Sequence, residues 1–212
     1  MKLIHKISFL AIACCTMQSP VLAQSSTAND NWYFGAAVGQ SGIKLQSQNI
    51  VATGQQTTSD TGYKILGGYR FNQNWAAEFQ YFDLGKYTYT FTGAPAGMGA
   101  IRNSAATVKT SGYSLSAVGN YPVSQEISLI VKLGVAQQSF SLQATDLNGN
   151  SGSSRASTTS ALIGVGAEYS ISKNVRIRAE YEYFGVPTVL NRGNQSAQLR
   201  TDLLSVGLIY SF

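Results

Sequence analysis

Apolar and polar positions alternate with a period of two along most of this chain. Trp32, Phe34, Ala36 and Val38 share one parity, with Gly35, Ala37 and Gly39 between them. Successive side chains of an extended chain point to opposite faces, so each such run predicts a strand with one greasy side. Eight runs can be read. The first spans about Trp32 to Leu45. The second, "GYKILGGYRF", carries Tyr63, Ile65, Tyr69 and Phe71 on one face. The next four are marked by Trp75-Ala77-Phe79-Tyr81, Tyr113-Leu115-Ala117-Tyr121, Ile127-Leu129-Val131-Leu133-Val135 and Ala161-Ile163-Val165-Ala167-Tyr169. The seventh has Val175, Ile177, Ala179, Tyr181 and Tyr183. The eighth is "SVGLIYSF", with Val206, Leu208, Tyr210 and Phe212 against Ser205, Gly207 and Ser211; Ile209 breaks the pattern.

The connections alternate in length. Short turns fall at 72–74, 122–126 and 170–174. The others, "QSQNIVATGQQTTSD", "TGAPAGMGAIRNSA", "TDLNGNSGSSRAS" and "LNRGNQSAQ", are rich in Gly, Ser, Thr, Asn and Gln and read as surface loops. Short turns on one side and long loops on the other are the pattern of an up-and-down barrel in an outer membrane. The greasy faces then meet lipid. Trp32, Phe71, Trp75, Tyr121 and Tyr169, with Tyr210 and Phe212, lie near the short-turn or terminal ends and form one aromatic girdle; Tyr63, Tyr81, Tyr113 and Tyr183 fall nearer the other end and suit a second. A soluble β-sandwich accounts for the alternation equally well, but less well for the girdle and the terminal Phe.

The start of the chain fits export. "MKLIHKISFLAIACCTMQSPVLAQ" has Lys2 and Lys6, an apolar run from Ile7 to about Cys15, and a small-residue stretch after Pro20, which predicts a signal peptide over 1–23 and a barrel domain over 24–212. Ala11-Ile12-Ala13-Cys14 is a poor match to a lipoprotein box. Cleavage would remove Cys14, Cys15 and the only histidine, His5, so the mature barrel would lack disulfides and any Ser-His machinery. Only 12% of the residues are charged, and the net charge of +5 is scattered, which excludes a nucleic-acid partner.

Charge matters more by parity. Lys64, Arg70, Glu78, Lys132, Glu168, Arg176, Arg178, Glu180 and Glu182 all fall on the small-residue face. Inside a narrow barrel such charges must pair. A balanced set predicts a network that plugs the lumen; a selective pore would carry a surplus of one sign. A turn centred near Ser172 would set Glu168 opposite Arg176. Glu180 and Glu182, two residues apart on one face, read as partners of Arg178 or Arg176 rather than as a catalytic pair. "DLNGN" at Asp146 lacks the Gly and Glu that a calcium loop needs at the positions of Ser151 and Ser157. No catalytic, cofactor or metal residue is assigned. Arg102, Lys109, Arg155, Arg192 and Arg200 lie in or near the long loops, either touching anionic lipopolysaccharide or solvated.

Three stretches carry a resemblance. "WYFGAAVGQS", "LGGYRFNQNWAAEFQYFDLG" and "SVGLIYSF" are similar, in this order, to the first strand, second hairpin and C-terminal signal of the OmpA-type eight-stranded outer-membrane barrels. The resemblance covers essentially all of the chain after the leader. It implies that Ser205, Gly207, Tyr210 and Phe212 form a signal read by the barrel-assembly machinery. It also implies a monomer without the peptidoglycan-gripping domain of larger members, since the sequence stops at the barrel. The expectation is an all-β, transmembrane, eight-stranded antiparallel barrel of the cell outer membrane. Its role is structural or in surface recognition, not enzymatic, with a narrow porin-like channel as the alternative.

Overall fold

Each of these alternating runs becomes a wall of one closed sheet. The computed structural model describes residues 31–48, 59–91, 104–145, 151–186, 188–192 and 195–212. Its strands are β1 (Trp32–Gln48), β2 (Ser59–Arg70), β3 (Trp75–Phe91), β4 (Ser104–Pro122), β5 (Ile127–Thr145), β6 (Ser151–Ser170), β7 (Val175–Tyr183), β8 (Thr188–Arg192) and β9 (Gln195–Ser211). All pairings are antiparallel, and β1 closes the sheet against β9 from Tyr33↔Ser211 to Gln48↔Ser196. Because β7 and β8 lie end to end along β9, they make one wall, and the barrel has eight. The expected leader, 1–23, and the "DLNGN" segment, 146–150, lie outside the described residues.

The three short turns, 71–74, 123–126 and 171–174, share one chemistry. A polar side chain at the second turn position accepts backbone N–H groups from residues further on. Asn72 Oδ1 takes Asn74 N and Trp75 N, both at 2.9 Å; Ser124 Oγ takes Ile127 N at 3.0 Å; Ser172 Oγ takes Val175 N at 3.2 Å.

At the other end the strands run past the expected loop boundaries. Residues 151–157 and 195–198, taken from the sequence as loop, are ladder residues of β6 and β9. Outside the bilayer both faces of a hairpin are free to be polar, so the period-two signal fades while the backbone ladder continues. Side chains also tie these polar rungs: Thr159 Oγ1 donates to Gln137 Oε1 at 2.5 Å, and Ser139 Oγ lies 3.3 Å from Ser157 Oγ.

The greasy faces point outward. Phe34, Val38, Ile65, Phe79, Leu115, Val131, Leu133, Val165, Val206 and Leu208 are all exposed. On β5 the band runs from Ile127 to Val135 before Gln137, roughly 20–25 Å once strand tilt is included, which matches an outer-membrane hydrocarbon layer.

Two glycines with positive φ interrupt the walls, Gly85 (φ 83°) in β3 and Gly185 (φ 76°) between β7 and β8. At the first, the pairing of β3 with β4 slips by one residue between Asp83 and Lys86. Asp83 Oδ1 accepts Gly85 N at 2.8 Å and Asp60 Oδ2 accepts Lys86 N at 2.6 Å, so two carboxylates cap the bulge. A Cβ on Gly85 would sit 2.4 Å from Asp60 Oδ2. Gly85→Ala is expected to lower stability by about 1–2 kcal/mol in urea titrations in lipid vesicles. Gly152→Ala, where a Cβ would meet nothing within 4 Å, should stay within about 0.5 kcal/mol of the parent.

Candidate functional site: the lumen

Eight strands enclose a lumen that side chains can fill completely. Here they do so in layers. Nearest the short turns lie Tyr33, Leu66, Ala76, Val118, Ile130 and Ile209. Towards the outside lie Phe82, Leu84, Ala136, Leu162, Phe184 and Leu203, with the rings of Phe82 and Phe184 4.4 Å apart. The inward face is therefore not only small and polar, as its sequence suggested. Ile209, the break in the terminal alternation, is a buried member of the inner layer.

The structure gathers the nine charged residues that share inward parity, with Arg70 and Arg176 level with the inner apolar layer, across the ladder from Ala76 and Ile209. Lys132 is fully buried, and its Nζ lies 2.6 Å from Glu78 Oε1, 2.8 Å from Glu180 Oε1 and 3.0 Å from Glu182 Oε1. Gln80 Oε1 is a fourth oxygen at 3.3 Å, one more than the three ammonium protons. Lys64 Nζ bridges Glu180 at 2.6 Å and Glu182 at 2.5 Å. Arg178 joins two carboxylates, with Nη1 2.6 Å from Glu78 Oε2 and Nη2 2.7 Å from Glu168 Oε1. Arg70 and Arg176 each approach Glu168 Oε2 at 3.3 Å. These two are the most exposed members of the set, so the fifth positive charge over four negative ones sits towards the periplasmic mouth. A space of about 10 Å³ beside Tyr33, Arg70 and Arg178 holds at most about one water.

Two details differ from the sequence expectation. Glu168 stands across from Arg178, and Arg176 pairs with Ser170, because the turn is centred one residue later than Ser172. Arg176 still reaches Glu168 diagonally. The partners of Glu180 and Glu182 are Lys64 and Lys132, whereas Arg178 is 3.9 Å from Glu180. With both carboxylates bound by ammonium groups, neither is placed to act as a base.

Tyr33 and Gln80 were missed by a reading limited to charges. Tyr33 OH donates to Glu78 Oε2 at 3.0 Å, and its ring lies under Arg70 and Arg178. Gln80 Nε2 donates to Glu182 Oε1 at 3.0 Å. Both share parity with residues already assigned inward, Gly35 and Glu78, and that parity was the available signal. Above the outer layer, Ser41 Oγ and Tyr87 OH donate to Leu84 O at 2.6 and 2.8 Å, and Gln138 Nε2 donates to Phe184 O at 2.9 Å. They satisfy carbonyls beside the Gly85 and Gly185 irregularities. Among the described residues no group of three His, Cys, Asp or Glu could hold a metal ion.

On the outer surface, Trp32, Phe71, Trp75, Tyr121 and Tyr169 are exposed at the short-turn end. Trp32, Tyr69 and Phe71 meet edge to face, as do Phe34, Phe212 and Tyr210. Phe212 N donates to Trp32 O at 3.1 Å. Of the signal residues, Ser205 points inward, Tyr210 and Phe212 outward, and Gly207 faces Ala37 across the closing seam. At the far end Tyr81 and Tyr113 lie side by side with ring centroids 5.2 Å apart.

A lipid-facing band between aromatic rows, wrapped around a charged lumen, defines an outer-membrane β-barrel. The chain belongs to the family of the OmpA-like transmembrane domain, whose model matches residues 27–212. It is 28% identical over 208 residues to outer membrane protein A of Yersinia pseudotuberculosis, covering 98% of this chain and 56% of that protein. Against outer membrane protein A of Serratia marcescens it is 26% identical over 214 residues, again covering 98% and 56%. The chain thus spans about half the length of these curated relatives. Its fold is similar to that of the outer membrane protein OprG from Pseudomonas aeruginosa, with TM-score 0.54, 14% identity and coverage of 87% of this chain and 97% of that one. The protein resides in the cell outer membrane.

Glu78→Gln leaves Lys132 and Arg178 short of a counter-charge. It is expected to cost about 3–5 kcal/mol in vesicle urea titrations. Tyr33→Phe, which removes one hydrogen bond to the same carboxylate, is expected to cost about 1–3 kcal/mol.

Proposed function

We propose that this protein is a plugged, non-enzymatic barrel that serves the envelope structurally and presents its external hairpins for surface recognition. The observation that carries this reading is the lumen: all four buried glutamates are ion-paired, and apolar layers lie on both sides of the ion pairs that Lys64 and Lys132 make. A conducting path would need water beside those charges, and the packed side chains leave little room for it. Conductance of the refolded barrel in planar lipid bilayers tests this. The expected result is no steady channel in the parent. Steady channels whose ion selectivity shifts in Glu78→Gln would establish the porin-like alternative.

The same reading assigns Ser205, Gly207, Tyr210 and Phe212 to recognition by the assembly machinery of a monomeric barrel. The Phe212 ring is exposed and the closing ladder from Tyr33↔Ser211 to Gln48↔Ser196 does not include it, so its loss should leave intrinsic folding largely intact. Deleting Phe212 should slow insertion by purified assembly machinery by about tenfold or more, an effect of about 1.4 kcal/mol on the barrier. Spontaneous folding in detergent should change less than about twofold. Equal slowing in both assays would assign Phe212 to barrel closure alone.

A further inference from the structure

One row of outward residues above the membrane band gathers three cations on neighbouring strands. The slip at Gly85 sets Lys86 directly across from Lys109, with Lys109 paired to Ser141 and Ser141 to Arg155. Three cations and a serine therefore occupy adjacent positions on β3, β4, β5 and β6. Lys86, Lys109 and Arg155 are all exposed. Among the described residues none has a carboxylate within ion-pair distance; the nearby Asp60 and Asp83 accept hydrogen bonds from the bulge N–H groups, and Asp83 also from the Tyr63 hydroxyl. Lys109, Arg155, Ser141 and the next row down, Asp83, Ser111, Ser139 and Ser157, line a depression of about 520 Å³.

Like charges directly opposite each other on a sheet destabilise it. Without the bulge, Lys86 would pair one residue further along β4, against Val108, and point into the barrel. The bulge thus creates the like-charged pair, and an anion bound there would relieve it. Height identifies the anion. The row lies four residues beyond Tyr113, roughly 10 Å above the last aromatic row along the membrane normal. Long Lys and Arg stems can reach back from there to the headgroup layer. The β1–β9 seam carries two cations, Lys44 across from Arg200, with Asp202 as the next outward residue on β9.

We propose that Lys86, Lys109 and Arg155, with the Ser111–Ser139–Ser157 hydroxyls, form a binding site for the phosphorylated headgroup of lipopolysaccharide on the β3–β6 face. The site acts from outside the lumen and is independent of whether the lumen conducts.

The test titrates the full chain in detergent with bisphosphorylated lipid A and with lipid A stripped of both phosphates, counting bound lipid by native mass spectrometry. Each cation near an anionic lipid surface contributes about fivefold in affinity, so Lys86→Gln/Lys109→Gln/Arg155→Gln should bind the phosphorylated form on the order of a hundredfold more weakly. The dephosphorylated form should bind parent and variant alike. Lys173→Gln, in a periplasmic turn, should match the parent. The single variants Lys109→Gln and Arg155→Gln should each show the smaller, fivefold loss, which keeps the test decisive if the triple variant folds poorly. Equal affinity of parent and variants for bisphosphorylated lipid A overturns the site. So does a loss that is the same for both lipids.

Discussion

The ladder between β1 and β9 is the constraint from which the rest follows. Lipid cannot hydrogen-bond a free strand edge, so a sheet in a bilayer must close on itself. Closure joins the two ends of the domain, and the terminal residues become structural parts instead of fraying. Phe212 packs edge to face on Phe34 and Tyr210, and its N–H reaches Trp32 O. Closure also leaves little room at the seam. A Cβ on Gly207 would lie 2.2 Å from Ala36 O, so a side chain there would force the strands apart.

Once closed, the sheet has only two environments, and each decides what its residues can do. Outward positions must be apolar over the height of the hydrocarbon layer. Inward positions fill a cylinder too narrow for bulk water, where any charge is buried. The four inward glutamates are held by lysine and arginine from β2, β5 and β7, so the network ties together walls that are not neighbours in the sheet. A paired buried charge is costly to expose and costlier to leave alone, so the network specifies one lumen packing more than it adds net stability. The irregularities at Gly85 and Gly185 extend the same logic, since the carbonyls they displace are taken up by Ser41, Tyr87 and Gln138 from inside.

The sequence was most legible where both environments act at once. From Trp75 to Tyr81, lipid outside and the lumen inside write alternation into every residue, and both the strand and the inward Glu78 follow from parity alone. Legibility declines where one constraint is lifted. Beyond Gln137 the outer face meets water, polar residues occupy both faces, and strand reads as loop. A one-residue irregularity is harder still. "FDLGKY" contains the signal, a Gly inside a strand flanked by Asp, but which residues flip depends on the partner strand. Lys86 could not be assigned a face until its pairing with Lys109 was known. For the same reason Glu168 was set against the wrong arginine: a turn centre displaced by one residue moves each pairing by two.

The two sets of cations on this barrel obey opposite rules. Inside, Lys64 and Lys132 share carboxylates, because a low-dielectric lumen admits no other counter-ion. Outside, Lys86, Lys109 and Arg155 stand in a row whose neighbouring acids are committed to the backbone. Water can hydrate those cations, so the fold tolerates them unpaired, but hydration gives no reason for a bulge that turns one lysine out beside another. In the Tyr63–Asp83 and Arg200–Tyr183 contacts the same outer surface settles its charges locally. The β3–β6 face leaves its cations open at the height where the outer leaflet carries its phosphates, and its local geometry is therefore completed by the membrane itself.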